Sequence, residues 1–215
     1  VSNYTKNVFN KNSFIKQYNS SIYKYRIIST KLLTVIDEWV EENIENATLI
    51  NKNNARFGLD DNFSDHFYLA YFIQNTFFLL LTTILFVFIF NNSLINISEK
   101  EKLLIQCIII FLIAITQYTV VPYDNISYFF FALFILSTLN YYKAESKFRF
   151  FILSIILFVA TFNRESSALF ISFFATFQIL KYGKTLKSIL PILYLIIIFL
   201  IAYLILRFII VPTNV

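Results

Sequence analysis

No methionine occurs in the 215 residues, and the chain opens on Val1. An intact gene product starts with Met, so we expect a fragment, or a chain whose true start was removed. The apolar end "RFIIVPTNV" leads us to expect the same of the C-terminus. The first residues also lack the basic-then-apolar pattern of a secretory signal. Cysteine is almost missing: Cys107 stands alone in an apolar run, so the chain by itself builds neither a disulfide nor a thiolate metal site. Glycine occurs twice and proline three times. The string "KYGKTLKS" (181–188) fails as a phosphate loop for want of glycine, because the position five residues before Gly183 is Gln178. One histidine, His66, is a weak metal signal.

What is present is apolar. The chain is 58% hydrophobic, with 27 Phe and 14 Tyr, against about 45–50% apolar in a soluble domain. The excess falls after residue 66, in runs too long for a soluble core. This predicts an all-α, polytopic transmembrane helical bundle. The formal charge of +5 needs no nucleic acid to explain it, since the lysines lie mostly in short loops between apolar runs.

Residues 1–66 are polar to amphipathic and read as an extracytoplasmic juxtamembrane segment, irregular over 1–21. Over 22–46, Tyr25, Ile28, Leu32, Ile36 and Trp39 recur at helical steps. The stripe is too polar to span and suits the interface, or a soluble-side helix packing on the membrane domain. Lys24 and Arg26 come first and the acids last, against the helix dipole. A break near Ser29–Thr34, with Thr34 capping a second helix, would repair this. The transmembrane domain, 67–215, holds about six runs: 67–90, 103–121, 126–142, 148–162, 166–180 and 189–207.

Lysine and arginine set the orientation. Loops 91–102, 143–149 and 181–188 are basic, and they alternate with "PYDN" (122–125) and "NRE" (163–165). If every run spans, the basic loops share the cytoplasmic side. Residues 1–66, "PYDN" and "NRE" then share the outer side. One helix over 148–180 would be ~50 Å long, too long for a ~30 Å core, so two short antiparallel helices are expected. A run over 148–162 is only ~22 Å as a helix, which sets "NRE" below the outer surface. Ionisable groups at that depth face a polar cavity or one another.

Three clusters could carry chemistry, and each could equally be a cap. In "TFNRESS", Asn163 suits an N-cap, Glu165 the first turn of the next helix, and Arg164 can snorkel outward. Alternatively Arg164 takes a phosphate bidentately and Glu165 holds a metal or an acceptor hydroxyl. In "VVPYDNISY", Asp124 or Asn125 could cap the next helix, or Tyr123, Asp124 and Asn125 could bind a sugar or a divalent ion. In "FGLDDNFSDHF", Asp60, Asp61 and His66 could ligate a hard cation, while Asp65 and His66 could simply open a helix. A divalent metal ion is the only cofactor these acids suggest.

The ordered set "YRIIST", "PYDNISYFFFALF" and "TFNRESSALF" resembles bacterial polytopic membrane proteins of the GT-C glycosyltransferase type. It is similar to those members whose fourth or fifth span reads "NRE" followed by Ser or Thr, and it covers most of residues 22–207. An Ile-, Asn-, Lys- and Phe-rich composition suits an AT-rich bacterial genome. Such proteins are similar to protein mannosyltransferases and the aminoarabinose transferase, which take sugar from a polyprenyl-phosphate carrier at the outer membrane face. The resemblance implies displacement at an anomeric carbon, with Asp124 and Glu165 as catalytic acids. It makes Arg164, Asn163, Tyr123, Asn125 and Arg26 substrate contacts. It also implies an acid shortly after a first span that would lie upstream of Val1. We expect this chain to lack that acid, with Asp60 and Asp61 as poor substitutes. Whether the chain alone is an active enzyme is left open. The implied partners are the bilayer and the sugar carrier, and the implied location is the plasma membrane, multi-pass. A transporter or flippase would show internal repeats, and we find none. A polysaccharide polymerase or ligase and a non-catalytic scaffold subunit are the remaining alternatives.

Overall fold

The computed structural model describes residues 11–19, 24–44, 65–95, 97–117 and 123–210. These residues are all-helical, with no strand among them. The helices are α1 (Lys11–Asn19), α2 (Ile27–Asn43), α3 (Asp65–Phe90), α4 (Glu99–Gln117), α5 (Tyr123–Lys143), α6 (Lys147–Asn163), α7 (Ala168–Tyr182) and α8 (Leu186–Leu204). A short 3₁₀ turn, Glu165–Ser167, joins α6 to α7, and a π-helical turn, Ile205–Ile210, continues α8. Asp60, Asp61 and the terminal "VPTNV" (211–215) lie outside the described residues.

Short polar side chains fix the helix starts. Ser98 N donates to Glu101 Oε2 at 2.9 Å and Glu101 N donates to Ser98 Oγ at 3.4 Å, a reciprocal cap on α4. Arg149 N donates to Ser146 Oγ at 3.2 Å at the start of α6. Thr185 and Ser188 cap α8 in the same reciprocal way. Gly183, at φ 65°, ends α7, where a side chain would strain the backbone. The "GKT" string is thus a helix stop followed by a helix start.

α5 packs on α3 and α6, and α8 packs across α6 and α7. The main core is built from Phe134 (α5), Leu153, Ile156 and Leu157 (α6), Phe170 and Phe174 (α7) and Leu195 (α8). α6 and α7 are two antiparallel helices, as the run lengths predict. Lys181 at the end of α7 meets Glu145 just before α6 at 2.6 Å. α4 lies at the margin and leaves Leu103, Leu104, Phe111 and Leu112 exposed. Among the described residues, two helices are long and apolar enough to cross a membrane: His66–Phe90 and Leu186–Ile210.

The N-terminal segment corrects three expectations. Residues 11–19 are helical, not irregular. α2 runs without a break, and the Thr34 hydroxyl donates to Thr30 O at 3.0 Å within the helix, so Thr34 caps nothing. The buried face of α2 is Ser29, Thr30, Leu33, Asp37 and Val40, turned from the apolar stripe read in the sequence; Trp39 is 54% exposed. Packing on α3 selects that face. Leu33 and Val40 share a core with Phe14, Phe67, Ala70 and Tyr71, and Gln74 Nε2 donates to Ser29 O at 3.3 Å. The unfavourable charge order is offset at Asp37, which is buried and held by Lys11 Nζ at 2.6 Å.

Candidate functional site

Arg164 is the pivot between α6 and α7. It adopts an extended conformation (φ −160°, ψ 133°), while Arg164 N still donates to Ala160 O at 3.0 Å. The chain turns without glycine or proline, and three consecutive side chains leave in three directions. Asn163 is the last residue of α6, not an N-cap. It is fully buried, and its amide donates to Ser127 Oγ on α5 at 2.9 Å. Arg164 reaches the first turn of α5 and ion-pairs with Asp124 through Nη1 and Oδ1, so it does not simply snorkel outward. Glu165 opens the 3₁₀ turn and accepts from Arg207 Nη2, on the π turn after α8, at 3.1 Å.

"DN" and "NRE" therefore meet, as their shared side of the bundle requires. Helix α5 starts at Tyr123, which puts Asp124 and Asn125 in its first turn; Asn125 is buried. The Tyr123 side chain lies outside the described residues. Asp124 stands outside the apolar run 126–142. Burial lifts its carboxyl above the usual range, opposed by the charges of Arg164 and then Arg26. A carboxylate made more basic in this way accepts a proton more readily than an exposed aspartate does.

Residues just before α2 close the site. Tyr25 is buried, and the Arg207 guanidinium lies 4.3 Å from its ring centroid and 5.0 Å from that of Tyr203. A cavity of about 140 Å³ opens among Tyr25, Arg26, Arg164, Glu165 and Ser166. Three arginines (26, 164, 207) and two carboxylates (124, 165) thus gather at one end of the bundle, leaving a surplus of positive charge. The space suits a group of phosphate size; pockets for whole small ligands usually run to about 300–1,000 Å³.

Asp124 and Glu165 are each taken by an arginine. His66 lies in the first turn of α3, and Asp60 and Asp61, the acids expected to join it, lie outside the described residues. No group of three His, Cys, Asp or Glu that could hold a metal occurs among the described residues.

Sequence reasoning brought together Asp124, Arg164 and Glu165 but missed Arg207, Tyr25 and Ser127. Arg207 carried a usable signal: it is the only charged residue in the run 189–207, and a lone cation in such a run is a site candidate. Ser127 gave none, since its role depends on Asn163 lying opposite. No family model, curated protein or solved structure matches the chain, so the site rests on its own residues.

Proposed function

We propose that this chain is a GT-C-like membrane glycosyltransferase, or a part of one, using a polyprenyl-phosphate-linked sugar at the extracytoplasmic face. The observation that carries the reading is the convergence of Tyr25–Arg26, Asp124, Arg164–Glu165 and Arg207 from four separate stretches around one cavity. The proposal includes six membrane spans in the plasma membrane. Long exposed runs of Leu, Ile and Phe on α3, α4, α6 and α8 support it, because soluble monomers rarely expose apolar patches above a few hundred Å². At 17 residues, α6 is ~26 Å long, so the Arg164 turn sits below the surface of a ~30 Å core.

In this reading the acceptor hydroxyl attacks the anomeric carbon, the bond from that carbon to the carrier phosphate breaks, and Asp124 receives the hydroxyl proton. The arginines stabilise the departing phosphate, with Arg164 exchanging its carboxylate partner for phosphate oxygens. Asn163 positions the turn through Ser127. In cells carrying the full-length protein, Arg164→Ala abolishes transfer of the glycan to the surface. Normal surface glycan with that variant sinks the assignment.

The pairing of both acids with arginines also favours a second reading, a non-catalytic scaffold in which these pairs clasp the helix ends. A scaffold tolerates Asp124→Asn and Arg164→Ala with a modest loss of stability and an unchanged glycan. The same variants therefore separate the two.

A further inference from the structure

We propose that the opposite end of the bundle binds the headgroup of an anionic phospholipid, an inference that rests on the membrane reading above. A cavity of about 570 Å³ lies there between the start of α6 and the first turns of α8. Its volume falls in the usual range for small-ligand sites, about 300–1,000 Å³. Tyr141, Phe150 and Tyr194 form an aromatic wall, with Phe150 5.6 Å from Tyr141 and 5.4 Å from Tyr194 between ring centroids. Glu145, Ser146 and Lys147 supply its polar edge.

Charge selects the ligand. The two loops that meet here, 143–149 and 181–188, carry six cations (Lys143, Lys147, Arg149, Lys181, Lys184, Lys187) and one carboxylate, Glu145. Glu145 is already shared: Lys181 Nζ lies 2.6 Å and Lys187 Nζ 4.0 Å from it, and the Tyr182 hydroxyl donates to it. One acid thus gathers two lysines beside a cavity that Lys147 lines, and the surplus stays strongly positive. Lys147 makes no ion pair among the described residues. Clustered lysines at the edge of a cavity between spans attract a phosphodiester.

The surroundings select a lipid over a free anion. Phe151 lines the cavity and is exposed, and Ile155, one turn along the same face of α6, is exposed as well. Tyr194 is half exposed on α8 beside them. An acyl chain can follow this apolar track while its phosphate meets Lys147 and Lys187. A soluble phosphate ester gains only the charge.

The test uses the full chain. Flotation with phosphatidylcholine vesicles comes first, since a chain that stays in the aqueous layer sinks the membrane reading itself. For the inserted chain, native mass spectrometry then compares retention of phosphatidylglycerol with that of phosphatidylcholine of identical acyl chains. We expect preferential retention of phosphatidylglycerol. The double variant Lys147→Gln/Lys187→Gln lowers it about 10-fold or more, the scale set by two lysine charges at a membrane surface. Lys147→Arg/Lys187→Arg keeps it, which separates lost charge from lost folding. Lys31→Gln, exposed on α2 and outside both cavities, leaves it unchanged. Equal retention of the two lipids, indifference to the double Gln variant, or complete displacement by millimolar glycerol phosphate overturns the proposal.

Discussion

Asn163 shows how much one buried amide can decide. It links the end of α6 to Ser127 on α5 at 2.9 Å and is wholly enclosed. Removing one partner of a buried hydrogen bond strands the other, at a cost of about 1–3 kcal/mol. Asn163→Ala should therefore lower stability in detergent by about that much. Ser127→Ala should cost less when added to it than alone, because the two share one interaction. Simple additivity in chemical denaturation would show that the pair is not coupled. Lys11 makes a different statement. Its hydrogen bond with Asp37 raises its pKa above the ordinary 10.5. A raised folded-state value means that the stabilisation is complete below the unfolded pKa and disappears as pH rises through the folded one. The unfolding midpoint of the wild type should fall above about pH 10.5 more steeply than that of Asp37→Asn. Parallel alkaline limbs would count against the bridge.

Among the elements, the starts of helices rest on the shortest-range contacts. Ser98–Glu101, Ser146 and Thr185–Ser188 are local devices, built from residues three apart, and need no partner from elsewhere. Ser188 is fully buried and also donates to Gly183 O at 2.7 Å, so it ties the α7 stop to the α8 start. Ser188→Ala should cost roughly 1–2 kcal/mol by thermal denaturation, while Thr83→Ala, which removes only a bond back to Leu79 O, should cost much less. Equal losses would deny the cap its role. The end of α6 was not legible. Asn163 has the chemistry of an N-cap, and only the tertiary bond to Ser127 draws it into the preceding helix. α2 misled in the same way. Its apolar stripe named a face, but Leu33 and Val40 pack on α3, and Asp37 is buried because Lys11 is there to meet it.

For the whole molecule, antiparallel connections sort the charges. The ends holding Asp124, Arg164, Glu165 and Arg207 lie together, and the loops holding Glu145, Lys147, Lys181 and Lys187 lie together at the other end. In the membrane reading this arrangement predicts thiol accessibility in intact cells. With Cys107→Ser as background, Ser166→Cys should react with an impermeant reagent added outside, and Lys184→Cys should not. Ser166 is exposed where Asn163 is sealed, and Lys184 is exposed beside Gly183, whose backbone resists substitution. Labelling at 184 but not at 166 would invert the orientation and dissolve the outer site.

The sequence by itself determined the helical class and the two antiparallel helices over 148–180. Each follows from periodicity and run length. It also placed "DN" and "NRE" on one side, because loop charge and strand-free alternation leave few choices. The tertiary structure decided which side chains face one another. Asp124 finds Arg164 across 40 residues and Glu165 finds Arg207 across 42. Such pairings depend on the rotation of each helix about its own axis, which large apolar side chains in the core set and which no local spacing encodes. For the same reason Arg207 read as the last residue of an apolar run until the core turned it toward Glu165 and Tyr25.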